Sequence, residues 1–422
     1  MQPLAAGIRA APATAAEAAG RWRALVLIAL AQMLAMSTWF SAAAVAPSLT
    51  RDWGLSGTQL ALLTVAVQVG FVAGALASAI TGVADVFDTR YVFAVSALLA
   101  AGANALLMAA HGDLRLAVPA RFALGFCLAG VYPTGMKLMT GWFRAGRGLA
   151  IGALVGALTL GTALPHLIAG IGLIGALPWQ SVIAVTSAGA VLAAAIVAAF
   201  VRRGPFEAPS ARLDLGWALR SFRDPAVRLA NFGYFGHMWE LYAMWTWLPA
   251  FLLASFRAAG VGADSGRWSS LATALAIGTG AAGCVAAGLV ADRLGRTATT
   301  ATAMAASGAC ALVVGSLYGQ APALVVAVAL VWGVAVIADS AQFSAAISEL
   351  AASERVGSAL ALQTALGFLL TAVSIQLLPA IESRAGWAVA FAVLAIGPAA
   401  GAAAMLRLRR RPEAARLAGG NR

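Results

Sequence analysis

The stretch GLVADRLGRT (288–297) has a second, degraded copy, TGVADVFDTR (81–90), and this pair shows how the chain is organised. Asp292 and Asp85 hold matching places in the two copies and lie 207 residues apart, about half of the 422-residue chain. Each copy follows a long apolar segment. The repeat therefore predicts two related halves, each with this loop between its second and third apolar segments.

The composition indicates the solvent in which the chain folds. Hydrophobic residues make up 61% of the sequence and charged residues only 10%, with a mean hydropathy of +0.87. Soluble domains carry about 25% charged residues. So few charges cannot cover a water-facing surface of this size, and the sequence predicts an integral membrane protein.

Runs of roughly 20 apolar residues are long enough to cross a bilayer as helices. The chain contains twelve such runs, at 24–49, 58–82, 91–110, 116–139, 148–171, 179–201, 228–253, 268–290, 298–318, 322–347, 357–380 and 387–406. With the midpoint repeat, they predict an all-α membrane protein with twelve transmembrane helices in two pseudo-symmetric six-helix bundles. The predicted parts are a disordered tail (1–20), an N-terminal bundle (21–201), a basic cytoplasmic linker (202–227), a C-terminal bundle (228–406) and a basic cytoplasmic tail (407–422).

The basic residues predict that both termini lie in the cytoplasm. Of the 28 basic residues, 22 fall on the side of the termini, because Arg121 lies within a span and only five lie in outer loops: Arg51, Arg115, Arg257, Arg267 and Arg384. Such an excess marks the cytoplasmic side. The charges are scattered over short loops, which argues against a nucleic-acid-binding module. The chain is thus predicted to be a multi-pass protein of a bacterial-type inner membrane.

Other functional classes lack their signatures in this sequence. The cysteines Cys127, Cys284 and Cys310 all lie in predicted spans and have no metal-ligand spacing. A nucleotide-binding P-loop is missing, as are helix-borne metal pairs and nucleophile–base signatures. The sequence therefore predicts a protein that is not an enzyme, needs no cofactor and is not driven directly by ATP.

The loop at 288–297 resembles the G-x-x-x-D-R-x-G-R motif of the major facilitator superfamily. It matches that motif at Gly288, Asp292, Arg293, Gly295 and Arg296. The segment RFALG, with Arg121 and Gly125, resembles the family's fourth-helix Arg motif. Together with the span count, the repeat and the linker, the resemblance covers essentially the whole chain. It implies a transporter that works by alternating access.

The resemblance also implies a gate. In this family the loop Asp and Arg lock the two halves in the outward-open state, a role that falls here to Asp292, Arg293 and Arg296. The N-terminal copy departs from the motif: it keeps Asp85 and Arg90 but has Val86, Asp88 and Thr89 in place of the motif's Arg, Gly and second Arg. The alternative is that these charges are only a solvated loop.

The seventh run places His237 and Glu240 among apolar and aromatic residues. A charge at the centre of a membrane helix costs roughly 2.5–3.5 kcal/mol, so such residues usually face a bundle interior or a wet cavity. At 100° per residue, Tyr242 and Trp245 point away from Glu240, whose face includes Gly233, Gly236, His237, Met244 and Trp247. This face predicts that Glu240 binds a proton or a cationic substrate group, with His237 as its partner and the glycines leaving room for a ligand. The alternative is a structural hydrogen bond that locks helix packing.

In this family the first, fourth, seventh and tenth helices line the central cavity. On the fourth, Arg121 and Tyr132 share a face, and Arg121 either holds a substrate carboxylate or snorkels to the outer interface. On the tenth, Asp339 and Trp332 share a face, and Asp339 either lines the cavity or pairs with an inner-loop Arg. The first helix offers two further candidates for cavity contacts, Gln32 and Trp39.

These features predict a secondary active transporter of a small organic anion or zwitterion, coupled to protons and acting as a monomer. The alternative is a proton-driven efflux antiporter for amphipathic or cationic compounds. Thr162 stands where the antiporter motif of the fifth helix has Gly-Pro, which speaks against that alternative. The degraded copy at 81–90 leaves a further possibility, a sensor that no longer transports.

Overall fold

The computed structural model describes residues 15–143, 147–174, 177–207, 214–352 and 356–421, and all regular secondary structure within them is helical. The N-terminal half contains α1 (Ala15–Met36), α2 (Ser41–Ala44), α3 (Ala46–Trp53), α4 (Gly57–Thr81), α5 (Val83–Val86), α6 (Thr89–Ala109), α7 (Leu114–Leu128), α8 (Tyr132–Trp142), α9 (Arg147–Ile174) and α10 (Gln180–Phe200).

A short linker helix, α11 (Leu215–Ser221), leads into the C-terminal half. That half contains α12 (Pro225–Ala258), α13 (Ser265–Leu294), α14 (Arg296–Val314), α15 (Pro322–Ala338), α16 (Ser340–Leu350), α17 (Val356–Leu394) and α18 (Ile396–Arg409). Gly386 lies inside α17 with a φ of 77° and a ψ of 174°, so α17 is two helices that meet at this glycine.

The helices of the described chain are consistent with the predicted number of membrane crossings. By length and composition, nine segments of the described chain are apolar enough to span a membrane. The longest, Val356–Arg409, contains the two helices that meet at Gly386, so dividing it gives ten. The long helices α1 and α12 bring the number to twelve, which is consistent with the prediction.

The first helix begins earlier than predicted. Residues 1–14 of the predicted tail lie outside the described residues, but α1 starts at Ala15 and so includes the last six residues of that tail. The backbone at 15–20 is therefore helical and continues into the first span. The sequence there is rich in Ala, the residue with the highest helix propensity, and continues directly into the apolar run.

Four of the predicted spans are interrupted. Residues 37–40 separate α1 from α2, residues 129–131 separate α7 from α8, Asp339 separates α15 from α16, and Ala395 separates α17 from α18. A helix that stops inside a membrane leaves backbone carbonyls without partners, and these groups must be satisfied by protein. The breaks therefore create sites where side chains of neighbouring helices bind to the backbone.

Glycines permit the closest contacts between helices. A Cβ on Gly125 of α7 would collide with the carbonyl of Val67 on α4, and a Cβ on Gly333 of α15 would collide with that of Ala276 on α13. Membrane helices lack a hydrophobic drive toward one another, so small residues that bring backbones together supply much of their packing.

The linker and the C-terminal tail pack against one end of the bundles. In the linker, Phe206 N–H donates to the carbonyl of Gly141 at the end of α8. In the tail, Leu417 is fully buried and Asn421 donates to the carbonyl of Asp292. The linker and both described termini thus lie at the same end. We call this end the inner side, in line with the predicted orientation.

Candidate functional site

The two halves meet in a group of six aromatic residues, here called the seam cluster: Trp39, Phe40, Phe71, Tyr242, Trp245 and Phe368. The ring centroids of Phe71 and Phe368 are 4.8 Å apart, and those of Trp39 and Phe368 are 5.6 Å apart. Three of the rings come from α4 and the α1–α2 break in the N-terminal half, and three come from α12 and α17. The cluster therefore lies on the plane along which the halves would separate.

Two polar side chains, one within the seam cluster and one beside it on α4, have buried atoms without hydrogen-bond partners. Gln68 lies one turn from Phe71 on the same side of α4, is fully buried, and makes no hydrogen bond with either amide atom. The indole Nε1 of Trp39 also has no partner. Leaving a buried donor or acceptor unsatisfied costs about 1–3 kcal/mol. A ligand or a water molecule that paired with these groups would remove that cost.

Helix α12 faces the seam with a different side from the one that the sequence singled out. Tyr242 and Trp245 do point away from Glu240, as predicted, and it is this side that packs on the N-terminal half. Tyr242 lies 6.0 Å from Trp39, and Trp245 meets Phe40 edge-on at 5.8 Å. Sequence reasoning centred on the charged residues and so missed these rings. Their helical spacing opposite the charged face was the available signal.

At the outer end the halves are in contact. A Cβ on Gly57, at the start of α4, would lie 3.0 Å from Cβ of Pro379 on α17. Gln376 on α17 donates to the carbonyl of Thr58 over 3.3 Å. The indole of Trp247 donates over 3.0 Å to the carbonyl of Ile375, which Pro379 leaves free because proline has no N–H. Trp247 therefore fixes a proline-containing turn of α17 at the outer seam.

At the inner end the halves diverge. Along α9 and α13, a Cβ on Gly170 near the outer end would lie 2.7 Å from Leu271, and one on Gly156 would lie 3.8 Å from Ala281. Nearer the inner end, a Cβ on Gly152 or on Gly288 would have no other atom within 4 Å. The two halves are thus in close contact at the outer end, whereas α9 and α13 separate toward their inner ends.

The ionisable residues of α12 have partners that differ from the predicted ones. Glu240 accepts a hydrogen bond of 2.7 Å from the indole of Trp332, and Ser307 lies beside the same carboxyl. Nδ1 of His237 lies 2.8 Å from Oδ1 of Asp339. The two atoms are within ion-pair distance, but the contact does not have the geometry of a hydrogen bond. The predicted Glu240–His237 pair is therefore wrong, because each residue turns to a different neighbour.

The glycines on this face of α12 do not leave room for a ligand. A Cβ on Gly236 would collide with the carbonyl of Gly397 on α18, and a Cβ on Gly233 would lie 2.7 Å from Met405 and from Phe343. The prediction of glycine-lined space beside Glu240 is wrong, because this face packs inside the C-terminal bundle. The glycines instead permit close helix packing.

Asp339 occupies the break between α15 and α16. It is buried with His237, and Cys284 of α13 lies within its electrostatic reach. Cys284 is in turn within reach of Tyr132 of the N-terminal half. The alternative in which Asp339 pairs with an inner-loop Arg is wrong, because its charged partner is His237. The pair His237–Asp339 is buried and is formed by two elements of the C-terminal half.

Arg121 is fully buried and binds to the break between α1 and α2. Its Nη1 donates to the carbonyl of Thr38, to Oγ of Ser41 and to Oδ1 of Asn104, and its Nη2 donates to the carbonyl of Trp39. The break frees backbone carbonyls within the membrane, and the guanidinium supplies donors in a fixed fork. The alternative in which Arg121 snorkels to the interface is wrong, because the side chain is fully buried. Its guanidinium is bound to the α1–α2 break rather than free for a substrate carboxylate.

The two remaining candidates lie within the N-terminal half or at its edge. Gln32 is fully buried, packs against Gly135 of α8, and has no hydrogen-bond partner. Tyr132 is partly exposed at the start of α8 and lies within electrostatic reach of Tyr234. Tyr132 thus faces the other half, whereas Gln32 faces its own.

The C-terminal loop motif forms a network within its own half. Arg296 makes a 2.6 Å ion pair with Glu349 and donates to Gln342 over 2.8 Å. Gly295 has a φ of 91°, a conformation that favours glycine. The side chains of Asp292 and Arg293 are exposed. In this structure the gate residues thus are exposed or bind within one half.

The N-terminal copy has its own contacts. Lys137 of α8 pairs with Asp85 over 2.5 Å. Arg90 pairs with Asp88 over 2.7 Å, and its hydrogen bonds hold the pKa of the Asp88 carboxyl below its usual value. Asp88 also caps α6 by accepting from Arg90 N–H. The substitution of the motif's glycine by Asp88 therefore supplies a helix cap.

Comparisons with known proteins give the family and the fold. A family model described as Major Facilitator Superfamily matches residues 28–374. No curated protein sequence matches the chain. Among solved structures, a nucleoside transporter, NupG, in mutant form is similar with 12% identity and a TM-score of 0.72, over 92% of this chain and 99% of its own.

Two further solved structures resemble the chain. A D-xylose-proton symporter has 16% identity and a TM-score of 0.74, over 94% of this chain and 99% of its own. A bacterial homolog of the human lysosomal transporter Spinster, in an inward-facing and occupied conformation, has 15% identity and a TM-score of 0.66, over 93% of this chain and 97% of its own. At these identities the similarity concerns the fold.

Proposed function

The chain belongs to the Major Facilitator Superfamily, and on this premise we propose that it is a proton-coupled secondary active transporter of a small polar organic solute. Alternating access would proceed by rocking of the two halves about the seam cluster. The proposal is supported by the difference in packing between the outer and inner ends of the two halves. The outer end is closed at Gly57 and Pro379, while α9 and α13 separate toward the inner side.

The substrate site of this proposal is the seam cluster with its unpaired polar groups. Trp39 and Tyr242 offer ring faces, and Gln68 offers an amide donor and an amide acceptor. These groups suit a small solute with a flat or ring-shaped face and several hydrogen-bonding groups. An organic anion is less well served, because the guanidinium of Arg121 is already bound to the α1–α2 break.

The proton site of the proposal is the pair His237–Asp339, rather than Glu240 alone. A buried His and Asp at 2.8 Å have an interaction that depends on protonation, and the pair lies at a break in α15–α16 where the backbone can bend. Glu240 is anchored by Trp332 inside the C-terminal half and serves as a second acid near the pair. The D-xylose-proton symporter, which shares the fold of this chain, is by its name a proton-coupled transporter.

The alternative, efflux of amphipathic cations, has one observation in its favour. Aromatic faces attract cations, and the seam cluster provides six rings with no engaged cation between them among the described residues. Ligand charge separates the two proposals: neutral or zwitterionic ring compounds would bind for uptake, and hydrophobic cations for efflux.

The test is a thermal-shift screen of the purified protein, followed by transport in proteoliposomes. A true ligand at a hundred times its Kd should stabilise the protein by about 2.7 kcal/mol. An inward proton gradient should then drive accumulation of this ligand, and a protonophore should abolish the accumulation.

Trp39→Ala should weaken binding by about tenfold, or ~1.4 kcal/mol, while Trp22→Ala, at an exposed tryptophan outside the cluster, should not. Solute movement that ignores the proton gradient would contradict the coupling, and equal effects of the two tryptophan variants would contradict the site.

A further inference from the structure

A deep groove runs along the membrane-facing surface of the C-terminal half, between α12 and α18. Its volume is about 620 Å³. One wall consists of the aromatic side chains Phe232, Phe235 and Trp239, and the other consists of small residues of α18 that include Ala400. Flat exposed apolar surface is ordinary on a membrane protein. A concave surface of this size, with two arginines at one end, is not.

The packing of α12 on α18 explains the shape of the groove. Gly236 lies against the backbone of Gly397 and Gly401, so the two helices touch and form a floor. Alanines continue along α18 and keep the second wall low. On the first wall the indole of Trp239 is fixed by donating to the carbonyl of Val393 over 3.2 Å. The groove is therefore preformed rather than filled by a neighbouring side chain.

The length of the groove along α12 matches the thickness of one leaflet of a bilayer. Arg228, near the inner end of α12, and Trp239 are eleven residues apart. At 1.5 Å per residue the groove runs for about 16 Å along the helix. The hydrocarbon core of a bilayer is about 30 Å thick, so this length is about that of one acyl chain in the inner leaflet.

The inner end of the groove carries two positive charges. Arg228 and Arg407 both line it, and both are exposed. Among the described residues neither forms an ion pair. Asp224, one turn before Arg228, is engaged in capping α12 through Ala226 N–H. Two guanidinium groups at headgroup depth are thus available for a phosphate, which arginine binds bidentately.

We propose that this groove binds one anionic glycerophospholipid of the inner leaflet. The phosphate binds to Arg228 and Arg407, and one acyl chain lies along the aromatic wall toward Trp239. Anionic lipids are concentrated in the cytoplasmic leaflet, where basic residues attract them. The site lies on the outside of the C-terminal half, away from the seam cluster, and the inference is independent of the transported solute.

The test is native mass spectrometry of the delipidated protein, titrated with dioleoyl phosphatidylglycerol or dioleoyl phosphatidylcholine. We expect one phosphatidylglycerol to bind at least about tenfold more tightly than phosphatidylcholine. Arg228→Ala with Arg407→Ala should reduce phosphatidylglycerol binding to the phosphatidylcholine level. As a control, Arg220→Ala with Arg223→Ala removes two exposed arginines of the linker region and should leave the binding unchanged.

A second pair of variants tests the acyl-chain groove without altering charge. Ala400→Trp fills the groove and should weaken binding of both lipids, whereas Ala399→Trp, at the neighbouring exposed position outside the groove, should not. Each variant is first checked for a single size-exclusion peak, which shows that it folds. The arginine variants and the tryptophan variants each test the proposal independently. Equal affinity for the two lipids, no effect of the Arg228 and Arg407 changes, or equal effects of the two tryptophans would each overturn the proposal.

Discussion

Arg121→Ala is expected to prevent stable folding of the N-terminal half rather than to weaken substrate binding alone. The substitution removes hydrogen bonds from one buried guanidinium to the carbonyls of Thr38 and Trp39, to Ser41 and to Asn104. A hydrogen bond to a charged group contributes about 1.5–3 kcal/mol. The buried carbonyl of Trp39 adds to the loss, whereas that of Thr38 still accepts from Ser41. The free energy of unfolding should therefore fall by several kcal/mol.

The measurement for Arg121 is thermal unfolding and size exclusion of the purified variants. Arg121→Lys should rescue little, because lysine offers one nitrogen in place of a planar fork that reaches two carbonyls. Arg115→Ala, an exposed arginine at the start of α7, should unfold like the native protein. If Arg121→Ala instead folded normally and lost only substrate binding, Arg121 would belong to the substrate site, as the sequence first indicated.

Asp339→Asn is expected to abolish proton-driven accumulation while leaving solute exchange intact. Asparagine keeps the shape of the side chain beside His237 but cannot take up and release the proton. In proteoliposomes the internal solute concentration should then rise no higher than the external one, although counterflow between loaded vesicles and medium continues. The comparison of these two assays separates coupling from binding.

Glu240→Gln is the matched variant for this experiment. Glutamine retains an oxygen that accepts from Trp332, so the contact inside the C-terminal half is preserved. We expect accumulation to be reduced but not lost. Full loss in Glu240→Gln with normal accumulation in Asp339→Asn would return the coupling role to Glu240 and contradict the assignment to the His237–Asp339 pair.

The architecture was predictable because its signals are long and repeated. The apolar runs extend over whole helices, and the loop GLVADRLGRT has a copy half a chain away. Small local errors in either signal therefore do not change the predicted fold. The breaks at 37–40 and at Asp339 were not predicted, because long apolar segments flank them on both sides. They are specified by tertiary contacts, such as the hydrogen bonds of Arg121 to the α1–α2 break.

The site was harder to predict, because a helical wheel shows on which side of a helix a residue lies but not what packs against that side. The wheel correctly separated Glu240 from Tyr242, but it could not tell which side of α12 faces the other half. The charged residues predict a cavity on their own side of α12, whereas the structure turns that side into its own bundle and places aromatic rings on the seam. Gly236 likewise marks a close helix contact, a role that sequence alone does not distinguish from ligand space.

We expect the two halves to rock, so that one end closes when the other opens. Distances between spin labels in proteoliposomes test it directly, in a protein whose three cysteines are replaced by alanine. One pair of labels, at Thr58 and Ser383, reports on the outer end, and the other, at the exposed residues Leu149 and Leu289, reports on the inner end.

We predict a major population with a short outer and a long inner distance, and a minor one with the reverse. Asp292→Asn, which removes the proposed lock of the outward-open state, should reduce the minor population further. A bound solute or a change of pH should move both distances in opposite directions. Alternating access would be contradicted if each pair of labels showed one distance that solute and pH did not change. It would also be contradicted if the outer and inner distances lengthened together.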